Sequence, residues 1–186
     1  MMFEPVPAYR PSFFRVKFAS ADWERRACAA LRRAVFCTEQ GIFAACDRDA
    51  ADDHAIPICA LSTLGGDPDA VVGTVRIHEA PGEPGTWWGS RLAVARDFRR
   101  VGALGAGLIR VAVSSAHARG CTRFLAHVQS GNAAMFQALH WRSLGETALH
   151  GRPHHLMQAD LAHYPPMRDP EHGLVTLLRS RPALAA

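Results

Sequence analysis

The chain has 186 residues, 48% of them apolar and 20% charged, and a formal net charge of +4, enough for one well-buried domain and little for two. No apolar run approaches the roughly 18 to 20 residues that cross a bilayer, and Met1 to Arg15 lacks the basic start and apolar core of a secretory signal, so a cytoplasmic protein without a membrane partner is expected. The 20 Arg and the single Lys17 are offset by 17 acids spread through the chain, a balance too mild for nucleic acid, and five cysteines with no CxxC pair argue against a disulfide framework or a zinc knuckle.

Phe14 to Phe18 alternates apolar and basic residues as an edge strand would, and Ser20 or Asp22 then offers a helix N-cap. Trp23, Ala27, Leu31, Ala34 and Val35 recur at helical spacing and predict a helix over 21–38 with those residues inward. Gly41 to Asp53, with its CDRDAADD run, has no period and reads as a loop or a short helix where substrate has access. Ala55 to Ser62, Val71 to Glu79 and Thr86 to Val94 are strands separated by GGDPD and APGEPG turns, hence an antiparallel meander. In the second, Val71, Gly73, Val75 and Ile77 share one face and Thr74, Arg76 and His78 the other, a half-buried pattern. A helix over 103–119 carries Leu104, Leu108, Val111 and Ala112 as a core stripe until Gly120 stops it. Cys121 to Gln129 is a further strand, Asn132 to Leu139 a short helix, and 142–149 with 154–161 a closing pair. Beyond Tyr164-Pro165-Pro166 a surface helix or tail is expected over 165–186.

Chemistry concentrates between Arg91 and Gly107. A strand, Leu92-Ala93-Val94, runs into Arg99-Arg100 and then Val101-Gly102-Ala103-Leu104-Gly105-Ala106-Gly107 at the start of a helix. Glycines there let backbone N–H groups approach an anion, the helix N-terminus adds partial positive charge, and the arginines add full charge, which describes a pyrophosphate cradle. The spacing is GxxGxG, neither GxxxxGK[ST] nor GxGxxG, so a P-loop and a dinucleotide-binding turn are both disfavoured. The plainer alternative is a tight turn with close helix packing.

These residues resemble the central motif of the GNAT superfamily of acyl-CoA-dependent N-acyltransferases, with one extra residue before Gly105. Asn132 and the stretch Phe136-Gln137-Ala138-Leu139-His140-Trp141 are similar to the family's later Asn…Tyr-x-x-Leu-Gly-Phe element. Leu31 to Gln40 and Gly151 to Met157 resemble one branch of that family, and EQGIF with the CDRDAADD loop and the LHW and PHHLMQADL stretches resembles a bacterial subgroup linked to nitrogen starvation and nitrile metabolism. The resemblance covers residues 12–164. It implies an α/β fold of the α+β kind, a mostly antiparallel sheet with splayed middle strands flanked by helices. It also implies acetyl-CoA or another acyl-CoA as donor, a small-molecule amine as acceptor, and a homodimer. Leu92, Ala93 and Val94 would hold the pantetheine arm, with the thioester carbonyl on an N–H near Ala93 or Val94. Arg99, Arg100 and Val101 to Gly107 would hold the pyrophosphate, with Asn132 and Phe136 beside the cofactor.

Phe136 stands where the family's Tyr acid is frequent and has no hydroxyl, so another group or a water must serve the thiolate. His127 and His154 are the catalytic candidates, since imidazole titrates in the useful range. His78, His155 and Glu39 are lesser ones, and Cys37 is a nucleophile only if its thiol is activated. His154 and His155 face opposite sides of a strand, so no metal site is expected from them. Trp87, Trp88 and Trp141 read as core or groove wall, Arg76 as a surface ion pair or a contact for an acceptor carboxylate. Asp47, Asp49, Asp52 and Asp53 read as a solvated loop or a lure for a cationic amine. Two rivals remain. One is an acyl-homoserine-lactone synthase using longer acyl donors, whose strand also reads Ser-Arg-Leu-Ala-Val (Ser90 to Val94); the other is a catalytically weak acyl-CoA-binding module.

Overall fold

Apolar alternation broken by turn residues builds the centre of the molecule, which a computed structural model describes for residues 11, 13–99 and 101–177. β2 (Ile56–Leu64), β3 (Asp67–Glu79) and β4 (Thr86–Val94) form the predicted meander. β1 (Phe13–Phe18) lies antiparallel to β2, and β5 (Arg123–Gln129) runs parallel to β4. With β6 (Trp141–Leu149), β7 (Arg152–Ala159) and β8 (Leu174–Leu177) they make one eight-stranded sheet in the order β6-β7-β5-β4-β3-β2-β1-β8. Every pairing but β4–β5 is antiparallel.

α2 (Gly102–His117) lies on one face of the sheet, its stripe Leu104, Leu108, Val111 and Ala112 buried against Val75, Ile77 and Val16. α1 (Asp22–Arg33) covers the other face and continues without a break into a π-helical turn over Ala34–Glu39, closed by Gln40 N–H donating to the Val35 carbonyl at 2.9 Å. α3 (Ala133–Ala138) is short and buries Phe136 against Trp141, ring centroids 5.0 Å apart. Because helices cover both faces of β3, residues 72–77 are all buried, and the half-buried pattern expected there is not what forms.

The helix over 21–38 forms, but it turns a different stripe inward. Glu24, Cys28, Arg32 and Val35 are buried, while Trp23 is exposed and Leu31 only half-buried. Two of the buried residues are charged and paired, Glu24 with Lys17 at 2.8 Å and Arg32 with two aspartates, so apolar periodicity pointed one residue away. No side chain of Ser20 or Asp22 caps the helix; Glu24 reaches back to the Ala21 N–H at 3.0 Å.

The end of the described chain also departs from expectation. After Tyr164 the chain crosses α2, with Met167 N–H on the Ser114 carbonyl and Phe18 N–H on the Pro170 carbonyl, and Leu174–Leu177 then pairs with β1. β1 is therefore interior to the sheet, and the surface helix or tail expected over 165–186 is, as far as Leu177, a crossover and a strand; residues 178–186 lie outside the described residues. The physical reason is the outer edge of β1, whose peptide groups need partners.

Gly73 on β3 marks how closely α2 sits, since a Cβ there would stand 2.9 Å from Leu108 Cδ1 and 3.3 Å from Ala60 Cβ. Gly73→Ala is expected to destabilise by about 1–3 kcal/mol through overpacking, read as a lower urea midpoint at unchanged slope. An unchanged midpoint would contradict the close packing.

Candidate active site

β4 and β5 are in register only from Thr86 to Gly89 against Arg123 to Ala126. Beyond that point they part. Opposite β3 the register shifts between Thr74 and Arg76, so that Arg91 and Leu92 of β4 stand against the single residue Val75. Such a two-against-one bulge bends its strand. Arg91 adopts a positive φ of 56°, a conformation that bulky side chains rarely take. Past the bulge, Ala95 N–H donates to the Val72 carbonyl at 2.8 Å, and strict alternation then aims the peptide groups of Ala93 at β3 and those of Leu92 and Val94 at the gap. In agreement, the Val94 carbonyl accepts from Arg99 Nε at 3.0 Å. Ala93, one of the two residues expected beside the thioester, therefore has its polar groups turned away.

A cavity of about 550 Å³ opens at this gap and collects side chains from every neighbouring element: Phe36, Gln40 and Phe43 from the α1 side, Arg76 and His78 from β3, Trp88 and Arg91 from β4, His127 and Gln129 from β5, Asn132 and Phe136 around α3, and His150 and His154 from the last hairpin. Both expected catalytic histidines are there. His154 is paired across the strands with Gln129, and His127 with Leu156, so His127 and His154 share a face. His127 stacks on Trp88 with ring centroids 5.2 Å apart. His127 is exposed to the open cavity, where partial desolvation and next the neighbouring His154 lower its pKa from the ordinary imidazole value. The His154 side chain is buried with Nδ1 2.8 Å from the Arg152 carbonyl, which makes Nδ1 the N–H donor. His155 faces the opposite side and meets Ser143 Oγ at 3.0 Å. His78 also lines the cavity, its pKa lowered by burial and then by Arg76.

The acids of the loop are paired with arginines and are not free to attract a cation. Arg32 binds Asp47 through Nε at 2.7 Å and Asp52 through both Nη atoms; Arg76 binds Asp49 and Asp52, each at 2.6 Å; Arg91 binds Asp47 and Asp49. Three guanidinium groups and three carboxylates thus form one largely buried network that fastens residues 47–52 to β3 and β4. Asp53 pairs with Arg48 at the surface, and Asp49, though paired, is itself exposed. Arg76 is 3% exposed and is no surface ion pair. Sequence reasoning missed this network because a run of acids reads as solvent-facing. The signal was the complement, lone arginines inside the apolar runs VGTVRIH and SRLAV, which cannot be buried without a partner.

The expected phosphate loop has a mixed fate. α2 begins at Gly102 with no side-chain cap among the described residues, and Leu104 N–H donates to the Val101 carbonyl at 2.9 Å. Leu104 is fully buried, and Gly107 serves packing, where a Cβ would meet Val16 Cγ2 at 3.3 Å, although it also lines the second groove. Arg99 spends its guanidinium on Glu39, Nη2 to Oε2 2.6 Å in a bidentate pair, as well as on Val94. The same pair lowers the Glu39 pKa, which makes this carboxylate a poor base. Arg100 lies outside the described residues. Cys37 is outside the cavity wall, while Trp87 and Trp141 are core. A second groove of about 930 Å³ runs along Ala103, Ala106 and Arg110 of α2 toward His140, His163 and β8.

The sequence profile of the acetyltransferase (GNAT) family matches residues 20–145. No curated protein matches the chain. Among solved structures, a protein of Lactobacillus plantarum assigned as an N-acetyltransferase superposes with a TM-score of 0.68 at 24% identity, covering 78% of this chain and 97% of that one. Escherichia coli ElaA gives 0.66 at 19% identity, with 79% and 98% covered. BjaI, a CoA-dependent acyl-homoserine lactone synthase whose structure holds S-adenosylmethionine and isopentyl-CoA, gives 0.60 at 18% identity, with 80% and 83% covered.

Removing Arg32 leaves Asp47 and Asp52 buried without their main partner, so Arg32→Ala is expected to cost about 3–5 kcal/mol in urea at neutral pH. Arg76 holds Asp49 below its ordinary pKa, and at Asp52 the hydrogen bonds from Arg32 and Arg76 outweigh burial and hold it far below. Carboxylates depressed in the folded state stabilise fully above the unfolded value, about 3.9, and lose that contribution as pH falls toward the folded values. The urea midpoint should therefore drop between pH 5 and pH 2, and the gap between wild type and Arg32→Ala should narrow. A constant gap would contradict the network.

Proposed function

The chain belongs to the acetyltransferase (GNAT) family, and from that premise we propose that it transfers a short acyl group from acyl-CoA to a small-molecule amine within the cavity at the β4–β5 gap. The observation that carries this is the gap itself, with Leu92 and Val94 peptide groups on one wall and His127 and His154 on the other. The pantetheine arm would lie along β4 as an added strand, and the Val94 N–H would donate to the thioester oxygen as charge develops on it. N–H groups at the α2 N-terminus would take the pyrophosphate, with Asn132 and Phe136 walling the far side. Arg99 acts here through Glu39 and Val94, holding the strand end and the loop in register.

His127 is the base. Its pKa lies below the ordinary imidazole value, which favours the neutral form able to take the proton of the attacking amine. The amine lone pair forms the C–N bond, the C–S bond breaks, and the proton removed from nitrogen leaves with sulfur as the CoA thiol, so the charge balances. His154, on the same face and held through Nδ1 by the Arg152 carbonyl, disfavours a second positive charge on His127. Phe136 supplies no proton; it is buried and closes the cavity.

His127→Ala should lower kcat for thiol release by about 100-fold or more while leaving acetyl-CoA affinity within a few-fold. The wild-type rate should fall only below about pH 6.5, the ordinary imidazole value, and the variant should lose that acidic limb. Wild-type kinetics in the variant would reject His127. Octanoyl-CoA in place of acetyl-CoA decides between this and the lactone-type alternative, which requires the longer donor to be preferred. Acetyl-CoA binding with no thiol release to any amine would leave only a binding module.

A further inference from the structure

We propose that the acceptor amine carries a carboxylate and that Arg91 receives it, a substrate class that rests on the acyltransferase reading above. Arg91 is the first residue of the bulge, held at a φ of 56° on the strand that opens the gap. Left-handed backbone at a bulky side chain is strained, and such strain persists where the surroundings over-determine it. Here they do. Nε bonds the Asp47 carbonyl and carboxylate, Nη2 bonds the Asp47 carbonyl at 2.8 Å and Asp49 at 3.0 Å, and the guanidinium lies over the Phe43 ring, 4.6 Å from its centroid. The group is thus fixed in position and orientation on the cavity wall, while Nη1 makes no hydrogen bond among the described residues.

The acids of the wall point the same way. Asp49 is its only carboxylate among the described residues; Oδ2 is shared by Arg76 and Arg91 and Oδ1 accepts from the Ala51 N–H, so no acid is free to hold an ammonium group. A preorganised guanidinium with an unspent N–H₂ suits a carboxylate, and its charge-assisted bond is stronger than a neutral one. Phe36, Phe43, Trp88 and Phe136 give the remainder of the wall to an aromatic or branched apolar body.

The test is calorimetric titration of the wild-type protein with tryptophan and tryptamine, and with phenylalanine and phenethylamine. The acid of each pair should bind at least about tenfold tighter than its decarboxylated partner, and Arg91→Gln should erase that preference. Equal or weaker binding of the acids, no binding of either member, or a preference that survives in Arg91→Gln would overturn the proposal. If Arg91→Gln does not fold, the wild-type ratio alone decides. Failure of the acyltransferase reading is separate, since it shows in acetyl-CoA binding and thiol release, which these titrations do not use.

Discussion

Two residues of β4 standing against one of β3 decide where this molecule can hold a ligand. The bulge at Arg91 and Leu92 lies just past Gly89, where the β4–β5 pairing ends and the sheet opens. There the peptide groups of Leu92 and Val94 lose a neighbouring strand and stand ready for another one. A parallel pair suits this, because β5 keeps its far edge on β7 through His127, Val128 and Gln129 while its near edge is released. Both walls of the gap thus remain rigid, which is what placing a reactive group demands.

The bulge and the ionic network are one device. Arg91 supplies the strained residue, and the same side chain ties Asp47 and Asp49 to the sheet, with Arg32 and Arg76 completing the balance of charge. The loop over 41–53, short of regular structure and carrying Phe43 into the cavity, takes its position from these pairs more than from apolar burial. Across the cavity, Gln40 links the two walls, accepting from Gln129 through its side chain at 3.0 Å and from Arg152 through its carbonyl at 2.6 Å. The π-helical turn that precedes Gln40 widens the helix end and makes this bridge reachable, in keeping with where such turns concentrate.

Much of this was legible in the residues. The meander, the α2 stripe and the strand pair that closes the sheet follow from period and turn chemistry, and His127 and His154 were candidates because imidazole titrates in the useful range. What escaped was set by partners distant in sequence. The inward face of α1 is charged and becomes legible only once Lys17, Asp47 and Asp52 are known to meet it. Leu174 to Leu177 has a weak pattern that gains meaning from the open edge of β1. Gly107 looked like part of an anion loop, yet its lack of a side chain answers to Val16.

Hydrogen exchange at single amides, with and without acetyl-CoA, bears most directly on the claim that the opened strand is the donor's seat. Bonded to β3, Ala93 should be protected in both states, whereas Leu92 and Val94 should exchange fast in the free protein and slow on saturation with acetyl-CoA. Leu92 and Val94 amides that exchange at the same rate with and without the ligand would contradict it.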